Sequence, residues 1–219
     1  MKIARTRAAE EMWTFFRRLA LVLWVTHVML LTGPAIASDT DLSGVEGHPR
    51  ARFPLAVYLA PTDDAALAAA IRRAVTDWNA LFKEALGVQG FAWTESEPRA
   101  QVLITLEPAQ AGGRLMGEAR VAVKDGVIAP PVRVSLYAGA QRGTTPRETL
   151  IYQIAAHELG HALGLEHVID PRSVMCCVHG SVDFNDPSQR QVYIEARQNP
   201  DLRSVRSQLE AHYQRIWRE

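Results

Sequence analysis

The chemistry this chain can perform is concentrated in one stretch, His157-Glu158-Leu159-Gly160-His161-Ala162-Leu163-Gly164-Leu165-Glu166-His167. His157 and His161 are four residues apart, so a helix sets both imidazoles on one face, one turn from each other. That spacing suits two ligands of a single tetrahedral zinc ion. Glu158, beside the first histidine, can reach a water on the metal without binding the metal itself. Gly164 can adopt the left-handed conformation that ends a helix and turns the chain back. The turn would bring in His167 as third ligand and leave the fourth position to water. Two histidines packed quietly in a core would need neither Glu158 nor Gly164 nor His167. Zinc held by three neutral imidazoles acidifies its water and polarises a carbonyl, and a carboxylate at Glu158 can take the water's proton. Such a site activates water for hydrolysis without a covalent intermediate, and no serine here has the nucleophile-elbow context.

Followed by Ser173-Val174-Met175, this stretch resembles the metzincin zinc endopeptidases. His161–Leu165 (HALGL) is most similar to the matrixins and their bacterial relatives. The resemblance implies an α+β metzincin-like zincin domain: a twisted mixed sheet, a long packing helix, an active-site helix and C-terminal helices. It implies that His157, His161 and His167 hold one catalytic Zn2+, that Glu158 is the general base, and that Met175 forms a Met-turn beneath the metal. An extended peptide or protein substrate would lie along an edge strand, for which Ala119–Val123 is the candidate. The loop from Val168 to Asp183 would wall the pocket beside the zinc.

This chain also departs from the family pattern. Val168 stands where matrixins usually have Ser or Thr, and no cysteine lies upstream to form a propeptide switch. His48 is the one histidine between residue 38 and the active helix, so the family's second, structural zinc has no ligand set. Cys176-Cys177 follows Met175, and Cys177 occupies the place where some metzincins carry a tyrosine. Three readings of these candidate modulators are open: a vicinal disulfide, a buried pair of small residues, or a thiolate that ligates and silences the zinc. Asp170, Asp183 and Asp186 offer carboxylates to Ca2+, although scattered loop acids read more simply as solvated side chains. His179 and His212 read as surface residues, and Trp78 and Trp93 as core.

Several elements are needed to position this stretch. Phe53–Ala60 alternates like a strand. Thr62 is placed to cap a helix with Asp63 and Asp64 in its first turn, apolar residues from Leu67 to Leu86 at helical spacing, and Gly87 as the stop. Gln101–Leu106, Ala119–Val123 and Val132–Tyr137 read as strands, with Asp125-Gly126 as a turn. Thr145-Pro146-Arg147-Glu148 has the form of a capping box opening the active helix, which should run to about Leu163. Asp186-Pro187 opens another helix to about Gln198, ended by Pro200. Leu202, Val205, Leu209, Tyr213 and Ile216 form a stripe that docks on the core.

The chain has 219 residues, 24 basic against 24 acidic, and 47% hydrophobic. That composition excludes disordered and collagen-like classes and gives no electrostatic basis for nucleic acid as a partner. Residues 1–18 carry Lys2, Arg5, Arg7, Arg17 and Arg18, Leu19–Leu31 is apolar, and Ala35-Ile36-Ala37 follows. These are the parts of a secretory signal peptide cut after Ala37, and the apolar run falls short of the roughly 20 residues of a spanning helix. The expected organisation is a signal peptide over 1–37, a loose leader over 38–52 and the metalloprotease domain over 53–219, secreted or periplasmic and free of the membrane in its mature form. Two other functions are compatible with the same residues: a zinc-stabilised, non-catalytic binding or assembly protein, and a zinc amidase acting on cell-wall peptides.

Overall fold

β-Branched and aromatic runs pair into one five-stranded sheet in a computed structural model that describes residues 42–109, 115–139 and 145–218. The signal-peptide segment 1–37 lies outside the described residues. The strands are β1 (Leu55–Leu59), β2 (Phe91–Trp93), β3 (Val102–Pro108), β4 (Gly117–Lys124) and β5 (Val127–Ala138), in the order β2-β1-β3-β5-β4. All neighbours run parallel except β4 and β5, which form an antiparallel hairpin and leave β4 at the edge. Its two-residue turn has Asp125 at φ 53° and Gly126 at φ 74°, the paired left-handed conformation that suits strand twist. Pro130 and Pro131 cannot donate to the ladder. They fall beside the register shift between Arg120 and Ala122, where the ladder is already interrupted.

The mixed sheet and its helices have the expected α+β class, with local differences. The long helix α1 (Ala65–Leu86) is capped by Asp64, whose carboxylate accepts from Leu67 N at 3.1 Å, rather than by Thr62. Thr62 instead bonds Asp64 N. Leu67, Ile71, Ala74, Trp78 and Leu81 are buried as their spacing requires, and Gly87 ends the helix at φ 72°. The active helix α2 (Arg147–Ala162) begins without a side-chain cap, and Thr145 is buried instead of capping. Helix α3 (Pro187–Gln198) has its Asp186 cap, and α4 (Arg206–Ile216) buries Leu209 and Tyr213. Trp78 is fully buried, whereas Trp93 is 41% exposed under the Arg72 guanidinium. Strand β2 is too short to turn that ring into the core. Among the described residues no helix is long and apolar enough to cross a membrane.

Residues 42–52 are packed rather than loose. Gly47 bridges Val127 of β5, and Ile128 N donates to Gly47 O at 2.9 Å. Arg52 donates to Ile128 O, Trp217 Nε1 to His48 O at 3.0 Å, and Arg215 to Gly44 O. His48 is fully buried; its Nε2 donates to Ala162 O at 2.9 Å, while Nδ1 accepts from Arg52 at 3.1 Å. Apart from a 3-10 turn at Arg50–Arg52 the segment has no helix or strand, but side chains distant in sequence bond its backbone groups.

Burial pushes His48 from the ordinary 6.5 down to about 4, and the Arg52 charge adds to the effect. The folded chain therefore keeps His48 neutral where the unfolded chain would protonate it. Its contribution is fully present above pH 6.5 and falls as pH drops towards 4. Replacing His48 with Gln should make the loss of stability between pH 7 and pH 5 smaller by about 2 kcal/mol. Urea unfolding of metal-free protein at both pH values checks this, and equal losses in the two proteins would count against it.

Candidate metal centre

Helix α2 packs against α1 and the sheet and is buried all round from Ile154 to Ala162, the half that carries the first two histidines. His157 is 5% exposed and His161 fully buried. Each uses its inner nitrogen on the backbone: His157 Nδ1 lies 2.7 Å from Val174 O and His161 Nδ1 lies 2.8 Å from Leu165 O. A carbonyl only accepts, so both Nδ1 atoms carry the proton and both Nε2 atoms present a lone pair. Burial drives both imidazoles down, His161 to about 4 and His157 well below 6.5, with neighbouring histidine charges adding to it. Both are neutral at pH 7, the state a metal ligand needs.

His167 returns to the pair through a defined turn. Gly164 has φ +91°, Gly164 N donates to His161 O at 2.9 Å and Leu165 N to Gly160 O at 3.0 Å. These two bonds make a Schellman motif. Two further carbonyls at the helix end are satisfied from elsewhere, Ala162 O by His48 and Leu163 O by the Tyr213 hydroxyl at 2.8 Å. A Cβ at position 164 would collide with Glu46 O, so this glycine is needed for space as well as for its φ.

The three Nε2 atoms lie 3.1, 3.1 and 3.2 Å apart. Tetrahedral zinc with Zn–N bonds of about 2.0–2.1 Å sets its nitrogens about 3.3 Å apart. Two bare nitrogens converge on a third, and a proton on His167 Nε2 could satisfy only one of them. A cation at the centre satisfies all three, so the donor set fits zinc. Glu158, 1% exposed, lies beside the start of the edge strand: a Cβ on Gly117 would stand 2.7 Å from Glu158 Oε1.

Met175 is fully buried, and its thioether fills the space where a Gly160 side chain would be, with Trp78 on the other flank. The surrounding turn is tied to the third histidine's segment, since Val168 N donates to Met175 O at 3.0 Å. Cys176 and Cys177 are joined in the structure as a vicinal disulfide, Cys176 buried and Cys177 partly so. Val174 N donates to Ser204 Oγ at 3.0 Å.

Other residues fall outside the centre. His179 is exposed. His212, expected at the surface, is 3% exposed; its Nδ1 donates to Gly44 O at 3.1 Å, and Nε2 faces Gly47 and Gly164. It follows Tyr213 inward because the packed segment 42–52 covers that side of α4. Asp170 and Asp183 accept backbone N–H groups of their own turns, and Asp186 caps α3. Sequence reasoning missed the packing roles of His48 and Gly117, and it missed Arg197, which is 9% exposed. A lone arginine in a polar helix carries no signal of burial.

Residues 92–189 match the family model described as Matrixin. The macrophage metalloelastase of Oryctolagus cuniculus is 49% identical over 37 residues, a stretch that covers 17% of this chain and 8% of that relative. The matched stretch thus spans a small fraction of the relative's length. The matrixin match runs through α2, the returning His167 and the Met175 turn, and over that stretch, less than half of the chain, the protein is similar to the matrixins of the metzincin type.

Proposed function

We propose that the protein is an exported zinc-dependent endopeptidase that hydrolyses peptide bonds in an extended peptide or protein. The observation that carries this reading is the convergence of three imidazole nitrogens within 3.2 Å, with a buried carboxylate on the adjacent residue. The similarity to a metalloelastase supports peptide bonds as the target. Export is supported by the basic, apolar and Ala-x-Ala order of residues 1–37.

His157, His161 and His167 would hold the zinc, which when bound supplies a Lewis acid that acidifies water and polarises a carbonyl. The remaining work falls to this chain's own groups. β4 is the edge strand of the sheet, along which an extended peptide would lie. Gly117, at its start, leaves the backbone close to Glu158, so a peptide on this edge is delivered to the carboxylate. Glu158 takes a proton from the attacking water and later gives it to the leaving amine. Burial excludes competing solvent from that carboxylate. The Nδ1 bonds to Val174 O and Leu165 O keep two imidazoles aimed throughout.

Glu158→Gln should retain one zinc per chain and lose cleavage by at least about 100-fold. The measurement is digestion of a diverse unstructured peptide mixture, with new termini read by mass spectrometry and metal content by elemental analysis. New termini produced equally by both proteins would sink the proposal, as would wild-type protein that takes up no zinc. Gly117→Ala should also retain zinc but cleave about 10- to 100-fold more slowly, because its Cβ collides with Ile154 and with the Glu158 side chain and shifts the carboxylate. The same assay checks this; cleavage at the wild-type rate would show that Glu158 does not act from the observed position.

A further inference from the structure

The aim of His157 is set by a loop, because its Nδ1 donates to Val174 O. Val174 and Met175 are flanked by Ser173 and Cys176, and the carbonyls of both flanking residues are held by one side chain from α3. Arg197 Nη1 donates to Ser173 O at 3.2 Å and Nη2 to Cys176 O at 3.4 Å. With the Gln153 amide oriented as its hydrogen-bond partners require, its oxygen accepts from Arg197 Nε at 2.9 Å and its nitrogen donates to Arg197 O at 3.3 Å. Its guanidinium also stands 4.6 Å over the Tyr193 ring. These partners are neutral oxygens and an aromatic face. A buried guanidinium with such partners is there for its shape: a rigid planar fork reaches three diverging acceptors, which a lysine ammonium cannot do. Gln153 is one turn before His157 on the same face of α2. The fork therefore joins the ligand-bearing helix face to both ends of the segment that orients His157.

We propose that Arg197 is a positioning residue of the metal centre, holding the Val174 carbonyl against His157 Nδ1 and so fixing the tautomer and aim of His157 Nε2. The proposal rests on the zinc reading of the three histidines. Outer partners of metal ligands commonly set metal affinity by 10- to 100-fold. Arg197 acts one bond further out than the carbonyl itself, so its effect belongs at the lower end of that range.

The test is Arg197→Lys, read in three ways that need no peptide. These are zinc affinity by chelator competition, the visible spectrum of the Co2+-loaded protein, and the His157 Nδ1–H resonance of metal-free protein by NMR. The expected result is zinc binding about ten-fold weaker, an altered cobalt spectrum and loss of the exchange-protected Nδ1–H signal. A folded Arg197→Lys protein with wild-type affinity, spectrum and resonance overturns the proposal and leaves Arg197 as a strut. If Arg197→Lys does not fold, Gln153→Ala decides. It removes one acceptor of the fork at a half-buried site and should weaken zinc a few-fold in the same direction; wild-type affinity there overturns the proposal. Wild-type protein that binds zinc but cleaves no peptide would overturn the endopeptidase reading alone. Unchanged metal binding in the variants would overturn only the role of Arg197.

Discussion

A helix can offer two histidines to one metal from its own geometry, but the third must come from chain that has left the helix and reversed. That reversal at Gly164 is the constraint on which the rest of the centre depends. The glycine has φ +91°, and Glu46 O occupies the space where a side chain would begin. Ending a helix inside the protein leaves carbonyls without intrahelical partners, and each must be met. Here the turn's own N–H groups meet two of them, His48 meets Ala162 O and Tyr213 meets Leu163 O. The segment before β1 and the last helix thus share one task, closing the helix end so that His167 can return.

The same logic extends outward from the ligands in layers. His157 and His161 each give a proton to a backbone carbonyl, and those carbonyls belong to segments that are themselves fastened. Val174 is fastened by Ser204 from the 3-10 turn Leu202–Val205, and its neighbours by Arg197 from α3. Met175 fills the gap that Gly160 leaves in the helix face, so that loop and helix pack without a void. A histidine rotates freely about its side-chain bonds in solution. Its aim here comes from groups outside the histidine cluster.

The centre was legible in the sequence because its geometry is carried by short-range rules. Four residues make one helical turn, and a glycine three residues later makes the reversal. The long helix, the last three longer strands and the helix opened by Asp186-Pro187 were legible for similar local reasons. What could not be seen depends on partners far apart in the chain. Polar residues 42–52, with Gly44, Gly47 and Pro49, show no periodicity; their packing comes from His212, Arg215 and Trp217 at the other end of the sequence. His212 and Arg197 sit in helices whose compositions are polar, and what buries each of them lies across the fold. β2 spans Phe91–Trp93, too short for alternation to declare itself, and it exists because β1 offers a parallel edge.

Holding three imidazole nitrogens together has a cost that the fold must carry. Lone pairs of His157 and His161 converge with His167 Nε2 at hydrogen-bond distance, in surroundings that also disfavour protonating the first two. The rings of His157 and His161 are held by burial, by the carbonyls of Val174 and Leu165, and by the closed helix end. A cation held by all three nitrogens would offset that cost. The apolar core and the distant clamps belong to the centre in this sense, as they set the positions from which the imidazoles point.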